Sequence, residues 1–382
     1  MIRVLHVTDY LAMNTGGPRF LVEVFRRLVK DRFSFHIIAG TVSDMFSYTS
    51  SGNDDRINII NLNAINYRVL LSEQPSNVIR YLYKAILTIN KVMRELDIDI
   101  IHLNSHFPNL LTYILRISYP NKPIICSIHH LEEMHQFPDL VSKIAKTIIQ
   151  DLLEVSSPCD VVHTPSNSVK QEIESLSIVN KNNIVVIPPG IDTKKYLSIA
   201  KNPEEDLFLM IGRLEKRKHY DHALTAFRIV VRRKPKAKLF IIGDGPIKPY
   251  LAQLIKRFSL EKNVFLLGTV DEKTKLDLLS RAQALIHLGY PEGFGIAILE
   301  ALATGTPVIA YDVPPINEII VHKVTGILVK KDSVINVAEA IVNIDKYDFH
   351  YNKLREIAKK YDINIIAKKF EKLYKHLVKL QG

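Results

Sequence analysis

Short runs of β-branched and other apolar residues recur along this chain, each separated from the next by an amphipathic stretch. The first series reads Arg3–Thr8, Phe35–Ala39, Asp99–Leu103, Pro123–Ile128, Asp160–Thr164 and Ile184–Ile187. A second follows as Leu207–Ile211, Lys238–Ile242, Asn263–Leu267, Ala284–Leu288, Pro307–Ala310 and Gly326–Val329. Runs that are apolar throughout, rather than alternating, indicate parallel strands covered on both faces. Helical patterns such as Phe20/Leu21/Val24/Phe25/Leu28 and Leu224/Phe227/Val230/Val231 lie between them, which implies right-handed βαβ units. Pro188-Pro189-Gly190 and the polar stretch Lys194 to Glu205 part the two series. A length of 382 residues accommodates two cores. The expected fold is α/β, with two doubly wound, Rossmann-like parallel-sheet domains facing a cleft.

Ligands of open α/β sheets bind beyond the carboxyl ends of the strands. Those ends supply Asp9, Gly16-Gly17, Asn104-Ser105-His106, His129-His130 and Ser166 in the first half. In the second they supply Gly212-Arg213, Gly243-Asp244-Gly245, Gly268, Glu292 and Asp312. The most informative stretch is Tyr290-Pro-Glu-Gly-Phe-Gly-Ile-Ala-Ile-Leu-Glu300, which leaves a strand, turns through Gly293 and Gly295, and enters a helix expected to end at Gly305. The first N–H groups of a helix lack partners and the dipole is positive there, so such a start favours an anion. Glu292 and Glu300 bracket the turn. A carboxylate beside a phosphate site would be repelled, so a hydroxyl is its expected partner. An anion and hydroxyls presented together describe a sugar nucleotide.

Other residues carry weaker signals. Gly16-Gly17-Pro18 opens a helix after the first strand, either as a close backbone approach to phosphate or as an ordinary βα turn. Arg213 and Lys218 could neutralise a diphosphate and the charge that grows on it as it leaves. Lys216 and Arg217 read as a solvated basic loop. His129 and His130 end an apolar strand, where an imidazole either touches substrate or is simply half-exposed. The run His129-His130-Leu-Glu-Glu133-Met-His135 fits neither His-Glu-x-x-His nor a Cys/His zinc pattern, so no metal site is expected. No Gly-x-Ser-x-Gly elbow is present.

The chain is 47% hydrophobic and 24% charged, as ordinary globular proteins are, with a formal net charge of +11. The excess clusters at Arg26-Arg27-Lys30, Lys216-Arg217-Lys218, Arg232-Arg233-Lys234 and Lys359 to Lys379. A solvated lysine-rich surface, an anionic membrane and a phosphorylated acceptor all explain it. Nucleic acid does not, because no zinc finger, RNP signature or helix-turn-helix accompanies the charge. Cys126 and Cys159 sit in or beside apolar runs and are expected to be free thiols, which suits a reducing compartment. Met1 opens directly into a strand, and no run approaches the roughly eighteen uninterrupted apolar residues of a spanning helix. A cytoplasmic location, with peripheral attachment at the inner membrane face as an option, is the expectation.

Taken together these pieces resemble the retaining nucleotide-sugar glycosyltransferases of the GT-B class, family-four type (glycosyl transferases group 1). The strongest segment is Glu292 through Glu300 with its flank Ala-Leu-Ala-Thr-Gly305-Thr-Pro307-Val-Ile-Ala310, which is similar to the family's Glu-x7-Glu motif. Asp312-Val313, Asn317-Glu318-Ile319-Ile320 and Thr325-Gly326 continue it in register. Gly212-Arg213-Leu214 with Lys218, and Gly243-Asp244-Gly245-Pro246, are similar to the donor loops. Gly16-Gly17, His129 and Pro188-Pro189-Gly190-Ile191-Asp192 match first-domain landmarks. This chain differs at Pro314-Pro315, where relatives often carry two glycines, at His219, where glycine is common, and at Asn104, where histidine is frequent.

The resemblance implies an acceptor domain over residues 1–190, a donor domain over 191–360, and a helix over 361–382 that returns to the first domain, with Ile365, Phe370, Leu373 and Leu377 on its apolar side. It implies transfer of a hexose, UDP-hexose being the favoured donor, to a hydroxyl of a glycan, lipid-linked or small sugar acceptor. Arg213 and Lys218 would grip the donor diphosphate, with the Gly16-Gly17 turn, Gly243 and the backbone from Gly293 through Phe294, Gly295 and Ile296. Glu300 would hold the ribose hydroxyls and Glu292 those of the sugar. Val270 would border the base. His129 would lie by the anomeric centre, and Asn104 and His130 by the acceptor. No cofactor or metal is implied, since cationic side chains and helix N-termini do an ion's work. A sugar-nucleotide epimerase of the same fold is the alternative.

Overall fold

The computed structural model describes residues 1–11, 16–42, 56–64, 75–130, 155–176 and 183–380. It divides into two compact units, Met1–Pro189 with Ile363–Gly382, and Gly190–Asp362.

The first unit holds a seven-stranded sheet of β1 (Ile2–Leu11), β2 (Phe33–Val42), β3 (Ile57–Asn61), β4 (Ile100–Asn104), β5 (Ile124–Ser127), β6 (Val161–Thr164) and β7 (Ile184–Val186) in the order β3-β2-β1-β4-β5-β6-β7. Every pairing is parallel, and β1 is the pivot, with Val4 opposite Phe35 on one side and Ile100 on the other. Residues of β4, β5 and β6 are buried along their whole length, and the polar ones among them, such as His102, Ser127 and His163, are hydrogen-bonded to one another. Strand β3 was not expected. Its sequence Ile-Asn-Ile-Ile-Asn exposes Asn58 and Asn61, and this polar interruption at the sheet edge hides it.

The helix Gly16–Leu28 follows β1 and begins at Gly16, two residues before Pro18. The helix Ile363–Lys379 belongs to this unit and buries Ile363, Ile366, Ala367, Phe370, Leu373, Tyr374 and Leu377. Ile365 departs from expectation: it is 46% exposed, because the buried positions step by three and four residues and Ile365 falls outside that stripe. Tyr374 ties the helix to β4 through a 2.9 Å hydrogen bond to His102 Nδ1. Cys126 is buried, Cys159 is partly buried, and both are free thiols.

The second unit holds β8 (Leu207–Ile211), β9 (Lys238–Ile242), β10 (Val264–Gly268), β11 (Ala284–His287), β12 (Val308–Tyr311) and β13 (Gly326–Val329) in the order β10-β9-β8-β11-β12-β13, again all parallel. Its core joins strand residues such as Phe208 and Leu285 to the helices Tyr220–Arg233 and Ile296–Thr304, and the Phe208 and Phe227 rings meet edge-on at 6.2 Å. Burying each such side chain contributes roughly 1.5–3 kcal/mol. The Ile296–Thr304 helix is buried from Ile298 onward and stops at Gly305, whose φ of 82° is a left-handed cap.

The polar stretch from Lys194 to Glu205 belongs to this second unit rather than lying loose. Lys201 Nζ donates to Leu279 O at 3.1 Å, to Thr306 Oγ1 at 2.9 Å and to Ala282 O. Burial, and then the Arg355 charge, pull the Lys201 pKa down to about 7. In both sheets the strand order reverses beside the first strand, between β1 and β4 and between β8 and β11. Carboxyl ends at such a reversal diverge and leave room for a ligand.

Candidate active site

In the second unit the site begins where β8 and β9 end. Gly212 and Gly243 have φ of 150° and 137°, and Gly212 N donates to Ile242 O at 3.0 Å while Gly243 N donates to Gly268 O at 2.8 Å. A Cβ on Gly243 would stand 2.0 Å from Gly212 O, so these strand ends approach only without a side chain there. The chain then runs through Arg213 and the 3₁₀ turn Lys216–Lys218 into the Tyr220–Arg233 helix, with His219 left-handed at φ 49°. Tyr220 closes this loop by donating its hydroxyl to Gly212 O at 2.9 Å.

The end of β11 brings the acidic partner. Glu292 Oε2 is ion-paired with Lys218 Nζ, and Arg217 Nη1 and His287 Nε2 each lie 3.6 Å from the same oxygen. The Lys218 and Glu292 side chains are only 13% and 12% exposed. Gly289 makes this convergence possible, since a Cβ there would stand 2.9 Å from Glu292 Oε2, 3.1 Å from Lys218 Cδ and 3.3 Å from His287 Nε2. Burial pushes the Glu292 carboxyl upward, but Lys218, His287 and Arg217 outweigh it and hold the group well below its ordinary range. Burial lowers the Lys218 pKa, with Glu292 opposing, and it lowers that of His287. The result is an ion pair largely shielded from bulk water.

Arg213 is drawn into the same cluster through Glu215. Arg213 Nε lies 2.6 Å from Glu215 Oε1, and Arg217 Nε lies 3.1 Å from Glu215 Oε2. Arg217 corrects the sequence-based expectation of a solvated loop. It donates to Pro291 O at 3.2 Å, and Tyr290 N donates to the Arg217 carbonyl at 2.8 Å, so it laces the two loops together. Gly293 and buried Phe294 follow, and Gly295, with φ 100°, caps the helix that starts at Ile296.

Glu300 sits on that helix, 7% exposed. Its Oε1 accepts from Tyr196 OH at 2.6 Å and from Lys275 Nζ at 2.7 Å. Lys275 and Tyr196 also reach Glu272 Oε1, at 3.2 Å and 3.0 Å. Each carboxylate also has a lysine within the protein, because burial makes an uncompensated charge far costlier than a paired one. Sequence reasoning missed Lys275, Tyr196, Glu215 and His287. Glu215 lies between Arg213 and Lys218 in the loop after β8, while only the packing of the Glu272–Arg281 helix, the Thr193–Leu197 helix and β11 brings in Lys275, Tyr196 and His287. Val270 lies just past Gly268, partly buried against the core.

In the first unit Gly16 and Gly17 form the opening turn of the helix after β1. Asn104 and His129, from the ends of β4 and β5, meet at 2.9 Å between Oδ1 and Nε2. An amide oxygen only accepts, so Nε2 carries the proton. Burial, then His163 and His106, lower the His129 pKa to about 3, so the ring is neutral near pH 7. His130 lies edge-on to His106 at 5.5 Å. Behind them runs a buried relay: His102 Nε2 is 2.8 Å from Ser127 Oγ, and Ser127 Oγ is 2.7 Å from His163 Nδ1. Glu133 and His135 lie outside the described residues. Among the described residues one trio, His219, Asp221 and His222, places potential ligand atoms within 4.8 Å of one another.

Two doubly wound parallel sheets, of order 3-2-1-4-5-6-7 and 3-2-1-4-5-6, with glycine-rich turns, cationic side chains and a helix start at the reversal point of the second, define the GT-B type of α/β protein. A family profile described as Glycosyl transferases group 1 matches residues 193–361, and one described as Glycosyltransferase Family 4 matches residues 14–195. The chain belongs to the family-four type of group 1 glycosyltransferases. An uncharacterised glycosyltransferase of Methanocaldococcus jannaschii is 28% identical over 84% of this chain and 87% of its own length. N-acetyl-alpha-D-glucosaminyl L-malate synthase of Bacillus anthracis is 26% identical over 70% of this chain and 71% of its own. Among solved structures, sucrose-phosphate synthase from Thermosynechococcus elongatus shares the fold with a TM-score of 0.81 at 18% identity, covering 99% of each chain. Anabaena HepE in complex with UDP-glucose does so with a TM-score of 0.76 at 16% identity, over 98% of this chain and 100% of its own. The epimerase reading finds no support in these matches.

Proposed function

We propose that this glycosyltransferase moves a hexose, with retention of configuration, from a nucleoside diphosphate sugar to an acceptor hydroxyl. UDP-hexose is the donor this reading favours, and a glycan, a lipid-linked sugar or a small sugar is the acceptor. The observation that carries it is the convergence of Lys218, Arg217 and His287 on Glu292 beneath Gly289, next to the glycine-capped start of the Ile296–Thr304 helix. Lys218 and Arg213 take the diphosphate, with Gly16, Gly17, Gly243 and the backbone from Gly293 to Ile296 completing the contacts. The developing negative charge then meets fixed positive charge in a site shielded from water, where such interactions are strongest. Glu292 accepts from the hydroxyls of the sugar, and Glu300 from those of the ribose. Val270 borders the base. His129, Asn104 and His130 serve the acceptor side. The leaving diphosphate accepts the acceptor's proton on the face it departs from, so one bond breaks and one forms on the same side. Fixed cations and a helix N-terminus make a metal unnecessary in this scheme.

Support also comes from relatives. The matched solved structures include a protein in complex with UDP-glucose and another in complex with UDP and GlcNAc. The named relatives include an alpha-monoglucosyldiacylglycerol synthase of Streptococcus pneumoniae, which is 24% identical over 65% of this chain and 60% of its own length. Together with the positive net charge, this favours an acceptor at the inner face of a membrane. The test is a panel of radiolabelled nucleotide sugars with and without candidate acceptors, followed by determination of anomeric configuration in the product. Transfer with retained configuration is expected. An inverted product, or epimerisation of the donor without an acceptor, defeats the reading.

A further inference from the structure

The helix Pro75–Glu95 has two apolar faces. One packs Tyr81, Ala85, Ile89 and Val92 into the core of the first unit. The other points outward: Ile79, Tyr83 and Leu87 are 67%, 63% and 51% exposed, and their four-residue spacing lines them up in one stripe. Arg80, Lys91 and Arg94 are exposed on the same side of the helix, against a single acid, Glu95. Lys91 lies 3.9 Å from Glu95 with both side chains more than half exposed, a pairing that water and salt screen. The helix Thr112–Ser118 also exposes Ile114 and Ile117, at 51% and 83%, and Tyr119 OH at its C-terminal end donates to Asn90 Oδ1 at 2.8 Å. Single exposed apolar residues are normal on a protein surface. A stripe of bulky side chains edged by cations is not explained by folding, because burying it elsewhere in the unit would stabilise the fold.

We propose that this face is the docking surface for an anionic lipid bilayer. The helix lies in the plane of the interface, with Ile79, Tyr83 and Leu87 in the headgroup–acyl boundary and Arg80, Lys91 and Arg94 among the anionic headgroups. Charge selects this occupant. A second copy, seated on the same face by twofold symmetry, would set the three cations against their counterparts. A soluble polyanion would use the cations and leave the apolar stripe without a role. A bilayer uses both. The inference deepens the membrane-facing part of the proposed function, and it does not depend on the transfer chemistry.

Co-sedimentation of the full chain with vesicles tests it, comparing phosphatidylcholine alone with phosphatidylcholine containing phosphatidylglycerol. Binding to the anionic vesicles is expected, weakening as salt is raised. The triple variant Arg80→Glu/Lys91→Glu/Arg94→Glu is expected to weaken it roughly fivefold or more for each charge removed. Ile79→Ser/Tyr83→Ser/Leu87→Ser is expected to weaken it at least tenfold in the same assay, with an unchanged thermal midpoint because these side chains are exposed. Three results overturn the proposal: no binding to anionic vesicles by the unaltered chain, wild-type binding by both triple variants, or a solution dimer that the serine triple converts to monomer. A chain that binds vesicles but transfers no sugar sinks the proposed function and leaves this inference standing. A chain that transfers sugar but ignores vesicles does the reverse.

Discussion

Lys275 Nζ stands 2.7 Å from Glu300 Oε1, with the two side chains only 11% and 9% exposed. The carboxylate assigned to the ribose is thus held on one oxygen by an ammonium and by Tyr196, which fixes the direction of the other. Lys275→Met removes one member of a buried pair. Such a loss typically destabilises by about 3–5 kcal/mol, and the Tyr196 hydroxyl, which stays, brings the expected figure to about 2–3 kcal/mol. Thermal melts of the single variant and of Lys275→Met/Glu300→Gln check this. The double variant is expected to recover much of the lost stability, and simple additivity would contradict the pairing.

Lys218 is expected to be indispensable to turnover. Lys218→Ala removes a preorganised positive charge where negative charge develops, a loss of roughly 10²–10³ in kcat. Steady-state kinetics with a nucleotide sugar decide the matter. A variant with an altered KM and undiminished kcat would assign Lys218 to ground-state binding instead.

Gly289→Ala tests the geometry without altering any charge. Its Cβ would stand 2.9 Å from Glu292 Oε2 and 3.1 Å from Lys218 Cδ, so the pair must shift. A displacement approaching 1 Å in a reacting constellation lowers rates by up to about 10²-fold. Activity is expected to fall at least tenfold while the far-ultraviolet dichroism stays native. Full activity would show that the spacing between these groups does not matter.

Acid should unfold the first unit through its imidazoles. His6 and His129 are lowered to about 3 and His163 to about 4, burial being the largest cause in each, against an ordinary value of 6.5. The unfolded chain therefore takes up protons before the folded one does. The contribution of these groups to stability is complete above pH 6.5 and is lost as pH falls from there toward 4 and below. Each group adds up to about 1.4 kcal/mol per pH unit to the slope. Denaturant titrations from pH 7.5 to 4.5 measure it. Neither ring nitrogen of His6 has a hydrogen-bond partner among the described residues, and the ring lies 5.0 Å from Phe25. His6→Phe is accordingly expected to keep the fold and flatten the slope, and an unchanged slope would mean that His6 does not contribute.

Local patterning carried the fold a long way. Leu207–Ile211, Lys238–Ile242 and Gly326–Val329 are strands with the bounds their sequence runs predict, because a strand covered on both faces is mostly apolar along its length. Strand β3 escaped notice, since an edge strand half in water tolerates asparagine, and so did the exposure of Ile365. The glycine turns, Arg213, Lys218, Glu292 and Glu300 were legible because strand-end position and helix-start chemistry are local properties. What pairs with them was not. Arg217 answers Glu292 across 75 positions of chain, and Lys275 and Tyr196 close on Glu300 from two separate helices. The sequence by itself determined the order of strands and helices and the glycine-lined helix start. Tertiary structure alone decided which charge neutralises which, because burial makes each ion depend on a partner that the folded sheet, and no nearby residue, supplies.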